Sequence, residues 1–305
     1  MRDTCRVDNG NLTPLLDLGE QYLSDFREDD SLPPKYPLEV MMCEDCKLVQ
    51  LGDTTPSGEM YHERYGFKSG VNEAIRNNLA EIVDECLTLK PKARAWLDIA
   101  SNDGTLLSNV PENIYRVGID PITKYCKEAE AHADRIVNEF FSPQYFEKRL
   151  NEDTVHQVFD VITSISMFYD LDDPNKFVSG VKQVLAKGGI WSIQQNYLLT
   201  TMELNAVDNV CHEHLEYYSL YALEKLLDRH GLEVFDCSTN LINGGSIRTL
   251  VARKGERPIQ DSVERQRTKE LDFGINDPAK YEEFAKNVQE RLKKLADFVM
   301  SEAVN

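Results

Sequence analysis

Several things are scarce in these 305 residues, and each scarcity excludes something. Basic residues come first. Lys plus Arg make 34 against 52 Asp plus Glu, a formal charge of −18. No Lys/Arg-rich run offsets that balance, which argues against nucleic acid, because neutralising phosphates needs a basic surface. Attachment to anionic lipid is disfavoured for the same reason. No apolar run approaches the roughly 20 residues that span a bilayer. Met1-Arg2-Asp3-Thr4 leads into polar sequence, so no signal peptide is expected. Seven cysteines are odd in number and too sparse for a disulfide scaffold, which points to a reducing cytoplasm. Internal repeats, low-complexity segments and the full G-x-G-x-x-G fingerprint are also missing.

Apolar residues make up 41% of the chain, enough for a real core, and the length suggests about two domains. Residues 1–70 are rich in turns and hold Cys5, Cys43 and Cys46, with a loop at Asp29-Asp30-Ser31-Leu32-Pro33-Pro34. Ile75, Leu79, Ile82, Val83 and Cys86 recur at helical spacing, which predicts a helix over 72–90 ended by Pro91. Strands and helices then alternate. Strands are expected at 95–100, 115–120, 158–164 and 190–194, with a helical start at Thr105. Helices are expected at about 174–186, stopped by Lys187-Gly188-Gly189, and around 220–230, ended by Gly231. Runs at 232–237 and 246–253 close the series around Asn243-Gly244-Gly245 and would pair antiparallel at one edge. Alternation of this kind predicts a parallel sheet with helices on both faces, and the antiparallel edge suits a methyltransferase-type sheet.

Ligands of such sheets bind beyond the carboxyl ends of the strands. Asp98 to Gly104 forms a strand, a tight turn and a helix start there. Asp120 ends the next strand, where a carboxylate can accept hydrogen bonds from ribose hydroxyls. Ser166, Met167 and Phe168 follow the strand 158–164 and can supply an apolar wall. The pattern accommodates S-adenosylmethionine, a dinucleotide, or only ordinary loops.

Cys43-Glu44-Asp45-Cys46 is a C-x-x-C, and Asp8 follows Cys5 by three residues. The two pairs can supply three thiolates and a carboxylate to a tetrahedral zinc. Unrelated free thiols, or a redox C-x-x-C, are the alternatives. Cys86, Cys126 and Cys237 lie in periodic segments and read as core. The densest polar cluster is Asn209-Val210-Cys211-His212-Glu213-His214-Leu215-Glu216-Tyr217-Tyr218-Ser219. Its spacing is not H-E-x-x-H, so it is no zincin site. A metal site at Cys211, His212 and His214, a structural network, and acid–base catalysis by imidazole remain open.

The chain resembles the sugar C-methyltransferases that act on nucleotide-linked deoxysugars. The resemblance rests on five ordered motifs. They are Cys43-x-x-Cys46 with Leu48-Val49-Gln50-Leu51; Tyr65-Gly66-Phe67-Lys68-Ser69-Gly70; Ser101-Asn102-Asp103-Gly104-Thr105-Leu106-Leu107; His212 to Ser219; and Asn243-Gly244-Gly245-Ser246-Ile247-Arg248. It covers nearly the whole chain, from Cys5 to about residue 300. It implies an α/β fold: a Rossmann-like S-adenosylmethionine methyltransferase sheet, a small N-terminal zinc-binding domain and a short C-terminal helical extension. The corresponding segments are 1–70, 71–254 and 255–305.

The resemblance further implies zinc at Cys5, Cys43 and Cys46, with Asp8 standing where the family usually has a fourth Cys. The methyl donor would sit near Ala100, which replaces the family's Gly, and near Ser101, Asn102, Asp103, Asp120 and Ser166 to Phe168. His214 would be the base, with Glu213 beside it and Tyr65 at the substrate. Substrate contacts would come from Lys68, Tyr197, His212, Asn243 (often His in the family), Gly244, Gly245, Ser246 and Arg248, Lys68 and Arg248 facing the diphosphate. Cys211 occupies a position that is often Tyr. The expected reaction removes the proton beside a sugar ketone and methylates that carbon. An O- or N-methyltransferase and a non-catalytic binding protein are the competing expectations.

Finally, Tyr281, Phe284, Ala285, Val288, Leu292, Leu295, Ala296 and Val299 form one apolar helical stripe. The family's C-terminal domain normally continues beyond this point. The stripe is therefore expected to be covered by the sheet domain, in a homodimer, or by a separate polypeptide.

Overall fold

The structure is a computed structural model and describes residues 2–25, 30–142 and 158–303; Asp29 of the expected loop lies outside them. The chain begins with β1 (Leu12–Tyr22), β2 (Lys35–Cys43) and β3 (Val49–Leu51), paired antiparallel in sequence order. Next comes α1 (Glu73–Leu89), started by Asn72, whose side chain accepts from the backbone N–H groups of Ala74 and Ile75. Its buried face carries Leu79, Ile82, Val83 and Cys86, at the predicted spacing.

Then follow β4 (Ala95–Ile99), β5 (Tyr115–Ile119), α2 (Thr123–Ala129), β6 (Arg135–Val137) and β7 (Phe159–Ile165). The second half adds α3 (Pro174–Val184), β8 (Leu185–Asn196), α4 (Leu198–Leu204), β9 (Glu216–Tyr217), α5 (Leu220–Arg229), β10 (Leu232–Asn240) and β11 (Ser246–Arg253). The seven-stranded sheet runs β10-β11-β8-β7-β4-β5-β6. Strands β8, β7, β4, β5 and β6 pair parallel, while β11 is antiparallel to both neighbours. The expected edge pair is present, with the later strand inserted inside and β10 outermost.

Both faces of this sheet are covered. Leu97 and Ile99 pack with Phe177, Val181, Leu223 and Leu226 on one side, while Trp96 and Val161 pack with Leu79, Ile82 and Val83 on the other. Burial on both faces is why β4 reads as an unbroken apolar run rather than an alternating one. Two local expectations are corrected. The helix expected from Thr105 is a single 3-10 turn at Leu107–Asn109, because Val110 is held extended before Pro111. The Gly188-Gly189 pair does not precede the next strand but lies inside β8, which starts at Leu185 directly after α3.

The N-terminal sheet has the order β1-β2-β3-β9. Its last strand therefore comes from far along the chain, immediately after His214. Beyond β11 lie α6 (Asp261–Phe273) and α7 (Pro278–Ala303). The carboxylate of Glu270 on α6 accepts from Tyr197 Oη and from the N–H groups of Leu220 and Tyr221, so it serves the start of α5.

The C-terminal stripe divides in two. Tyr281, Phe284, Ala285 and Val288 are buried, and Tyr281, Phe284 and Val288 pack with Leu16, Leu38, Val40 and Met42 of the N-terminal sheet and with Leu198 and Met202 of α4. Of the expected covers, the seven-stranded sheet is not the one that buries this half; the N-terminal sheet and α4 do. Leu292 is half-buried at the border, and Leu295 and Val299 are 58% and 54% exposed. Among the described residues no helix is long and apolar enough to cross a membrane.

Candidate active site

Cys5, Asp8, Cys43 and Cys46 each offer one ligand atom, and these atoms lie within 4.8 Å of one another. Cys5 Sγ is 3.5 Å from Cys46 Sγ, and Cys43 Sγ is 3.3 Å from Asp8 Oδ1. A tetrahedron with zinc–sulfur bonds of about 2.3 Å has edges of about 3.8 Å, so the four atoms are already at ligand spacing. The backbone favours thiolate: the N–H of Val7 points to Cys5 Sγ, and those of Asp45 and Cys46 point to Cys43 Sγ. Gly10 donates its N–H to Asp8 Oδ1, and a Cβ on it would lie 2.6 Å from Asp45 Oδ2 and 3.0 Å from Cys43 Sγ. The donor set fits zinc, and residue 10 has no room for a side chain.

At the carboxyl ends of β4, β5 and β7 an open cleft of about 150 Å³ is lined by apolar and aromatic groups, among them Ile99, Ile122, Phe140, Phe141, Met167 and Leu171. Asp120 closes β5. Its Oδ2 accepts from the N–H of Asn102 and its Oδ1 from the N–H of Ile122, at 2.9 and 2.8 Å. Each oxygen keeps a lone pair for a ribose hydroxyl, and burial raises the carboxyl above its ordinary range. Three non-glycine residues bordering this cleft, Ala100, Asn102 and Ser166, have φ of 58°, 49° and 54°. Left-handed backbone of this kind concentrates at ligand-binding ends of sheets. The cleft has the apolar walls and the carboxylate that an adenosine-containing methyl donor needs.

Asn102 and Asp103 do something the sequence did not suggest. Asn102 Oδ1 accepts from the N–H of Ser69, its Nδ2 donates to the carbonyl of Phe67, and Asp103 Oδ2 accepts from the N–H of Gly70. From the other side, Lys124 Nζ and Tyr125 Oη both donate to the carbonyl of Tyr65. The segment 65–70 is thus tied down over the cleft, and Tyr65 and Phe67 become part of its wall. Asn102 lines the cleft, whereas Asp103 is spent on the tie and does not. Ser101 lines a small side cavity with Asp98. Burial raises the Asp98 carboxyl to about 7, although Thr163 Oγ1 donates to it at 2.6 Å.

A second open cleft of about 430 Å³ adjoins the first, and the two share Tyr65, Phe67, Ser166 and Asp170. Its wall includes Asn196, Asn209, Cys211, Glu213, His214 and Asn243. His214 Nδ1 lies 2.8 Å from the carbonyl oxygen of Asn209. A carbonyl only accepts, so Nδ1 carries the proton and Nε2 presents a lone pair. Burial pulls the imidazole below its ordinary 6.5, against opposition from that hydrogen bond and from the neighbouring Glu213. The ring stands edge-to-face against Tyr169, with centroids 4.4 Å apart. The result is a neutral base at neutral pH. Cys211 is no thiolate, because burial foremost, with Glu213 adding to it, pushes the thiol above its ordinary range.

Several expected contacts stand away from both clefts. Phe168 is fully buried against Phe177, Trp191 and Tyr218. Tyr197 is fully buried, with its hydroxyl on Glu270. His212 turns toward the N-terminal sheet, its Nε2 3.0 Å from the carbonyl of Tyr36. Arg248 lies under the sheet, bound to Gln194, Asn78 and Glu85, so it faces no diphosphate. Lys68 pairs with Glu128. Gly245 abuts Thr200, Ser246 Oγ donates to the carbonyl of Ile242, and Gly244 is exposed; of that run only Asn243 reaches the second cleft. Sequence reasoning missed Tyr61, Tyr169 and Asp170, and gave Asn209 no role beyond its place in the polar cluster. Tyr169 and Asp170 directly follow Ser166 to Phe168, and that adjacency was the available signal.

Three family models match successive parts of the chain. Residues 5–61 match the family described as "Putative zinc binding domain", residues 71–236 the "Methyltransferase domain", and residues 241–304 the "C-methyltransferase C-terminal domain". The chain is 28% identical over 257 residues to the C-methyltransferase NovU of Streptomyces niveus, covering 82% of this chain and 60% of that protein. The chain thus spans well under two thirds of the curated relative's length. Among solved structures, an S-adenosylmethionine-dependent methyltransferase from Clostridium acetobutylicum ATCC 824 matches 59% of this chain and 92% of its own at 16% identity, with a TM-score of 0.46. The plantazolicin methyltransferase BpumL in complex with SAH matches 59% of this chain and 84% of its own at 14% identity, with a TM-score of 0.45.

Proposed function

The chain belongs to the methyltransferase family, whose domain model matches more than half of it, and from that premise we propose that it is an S-adenosylmethionine-dependent C-methyltransferase acting on a nucleotide-linked keto-deoxysugar. The observation that carries this reading is His214. It is a neutral imidazole whose proton is fixed on Nδ1 by the Asn209 carbonyl, and it lines a polar cleft that adjoins the apolar one beside Asp120. NovU, which carries the name C-methyltransferase, supports carbon as the acceptor.

A carbon next to a ketone carries a weakly acidic proton. His214 Nε2 takes it, leaving an enolate, and Glu213 beside the ring stabilises the imidazolium formed. When bound, S-adenosylmethionine supplies an electrophilic methyl. Asp120 holds its ribose, and Tyr65, Phe67 and Ser166, shared by the two clefts, fix where cofactor and sugar meet. Holding both reactants in line supplies much of the acceleration. Asn209 and Asn243 offer amide contacts to sugar hydroxyls. The zinc cluster does no chemistry; it shapes the N-terminal sheet that packs behind His214.

The test incubates the chain with S-adenosylmethionine carrying a carbon-13 methyl and a thymidine diphosphate-linked 4-keto-6-deoxyhexose. A methyl on carbon, with the ring proton beside the ketone exchanging in heavy water, is the expected result. A methyl shift characteristic of an ether or an amine would replace this reading with O- or N-methylation. Cofactor binding with no transfer to any keto sugar would make the chain a binding protein.

A further inference from the structure

The carbonyl that loses its neighbouring proton becomes an oxyanion, and the roles given so far assign it no donor. Cations are of no help nearby: Lys68 and Arg248 are engaged elsewhere, and Arg6 lies under β9 with its Nη1 on the carbonyl of Leu51. Another group stands at the right place. Asp170 ends the 3-10 turn Phe168–Asp170 that follows β7 and lines both clefts, where cofactor and substrate meet. Its Oδ1 is sealed from water and has no hydrogen-bond partner among the described residues. The mechanism above leaves this carboxyl unused, and an enclosed carboxylate that faces the Tyr61 hydroxyl and no cation among the described residues is costly.

We propose that Asp170 is a protonated carboxylic acid that donates a hydrogen bond to the substrate ketone oxygen as that oxygen becomes an enolate. The proposal rests on the C-methylation reading and adds to it the electrophilic half of the site. The groups facing Asp170 agree with a neutral acid. Glu213 and Glu216 are carboxylates, Tyr61, Tyr65, Tyr169 and Tyr217 are phenols, and Cys211 is a thiol. Among the described residues no cation acts on it. Burial, then the two glutamates, lift the carboxyl well above the ordinary range, with only the Tyr61 hydroxyl opposing. The environment pushes His214 the other way, toward the free base. A pair of groups driven apart in this manner is the signature of an acid and a base sharing one site. The balance is simple. His214 Nε2 gains the carbon-bound proton, the carbonyl π electrons move to oxygen, and Asp170 keeps its proton while sharing it with that oxygen. When the carbon takes the methyl, the carbonyl re-forms.

Three readouts on the intact chain test this. In infrared difference spectra at neutral pH, replacing Asp170 by Asn should remove one protonated-carboxyl band. With the thymidine diphosphate-linked 4-keto-6-deoxyhexose, Asp170→Ala should slow both methyl transfer and heavy-water exchange, kcat falling on the order of 10², the loss of one oxyanion donor. Asp170→Asn, whose amide still donates, should recover part of that rate and abolish the fall in kcat at alkaline pH. Far-ultraviolet circular dichroism should stay unchanged in both variants, which separates the effect from misfolding. Wild-type exchange rates in Asp170→Ala, alongside a dead His214→Ala, would overturn the proposal while sparing the reading it rests on. So would an infrared spectrum unaltered in Asp170→Asn. A lost carboxyl band with no exchange even in the wild type would support the neutral acid and overturn the C-methylation reading instead.

Discussion

The backbone N–H of Leu51 donates to the carbonyl of Leu215 at 2.9 Å. That bond joins the strand leaving the cysteine knuckle to the residue after the proposed base. Val49 pairs with Tyr217 and Gln50 with Glu216 in the same ladder. Arg6, next to Cys5, adds hydrogen bonds from its N–H to Gln50 Oε1 and from Nη1 to the Leu51 carbonyl. The metal cluster and the imidazole thus share one short strand.

This connection makes a prediction about metal loss. Metal analysis should find about one zinc per chain, as expected for a closed tetrahedral site. Cys43→Ser should expose residues 5–51 to proteolysis and lower turnover on the order of 10², the scale of a reacting group displaced by about 1 Å. Cofactor affinity should hold, because the adenosine cleft is built from β4, β5 and β7. Calorimetric titration with S-adenosylhomocysteine and a proteolysis time course check the two halves. A chelated protein with an intact N-terminal sheet and normal turnover would refute the link.

His214→Ala should reduce kcat by about 10²–10⁴, the usual range for general acid–base catalysis, with little change in cofactor binding. The pH profile carries its own sign. Burial lowers the imidazole from 6.5, so the base is free at neutral pH and becomes protonated only in more acid solution. The acid limb of kcat/KM should therefore have a midpoint below 6.5 and vanish in His214→Ala. A limb centred above 6.5 would assign the base elsewhere.

Ala100 holds φ of 58° at the end of β4, where a side chain is strained by roughly 1–2 kcal/mol. Glycine relieves the strain but adds freedom to the unfolded chain, a cost of about 0.4–1 kcal/mol. Ala100→Gly should thus be neutral to stabilising by up to about 1 kcal/mol, unlike most glycine substitutions next to a strand. Urea unfolding with unchanged m-value measures it. A loss above 1 kcal/mol would mean that the Ala100 methyl contributes packing that outweighs the strain.

The sheet was legible because its strands are buried on both faces and announce themselves as apolar runs such as Ala95–Ile99 and Phe159–Ile165. The zinc ligands were legible because two short spacings bring four donors together whatever surrounds them. His214 was visible as part of a dense polar run, but its tautomer is set by the Asn209 carbonyl, which only folding reveals. Strand-end proximity misled at Phe168 and Tyr197, since the turn after β7 and the start of α4 point these rings into the core. Arg248 misled for a related reason. Alternation along β11 sends it beneath the sheet to Asn78 and Glu85 on α1, a partnership with no trace at its own position. Asn102 and Asp103 were placed at the right turn, yet what they bind is the chain segment 65–70, a tertiary contact that no local spacing encodes.

The two halves of α7 give the last prediction. Phe284 and Val288 are sealed against the N-terminal sheet, and Val288 is wholly buried. Removing a buried ring loses both its transfer free energy and the packing around it, so Phe284→Ala should cost about 3 kcal/mol. The same substitution at Leu295, 58% exposed, should fall within about 0.5 kcal/mol. Because the first half rests on β1 and β2 rather than on the seven-stranded sheet, Phe284→Ala should also loosen the strands that lead to Cys43. Amide exchange in residues 35–43 should rise in that variant, and exchange in residues 95–99 should not. Deleting 291–303 should leave the N-terminal sheet protected, since Tyr281, Phe284, Ala285 and Val288 remain. A chain that loses protection in β2 on that deletion would show that the exposed half of the helix is needed after all.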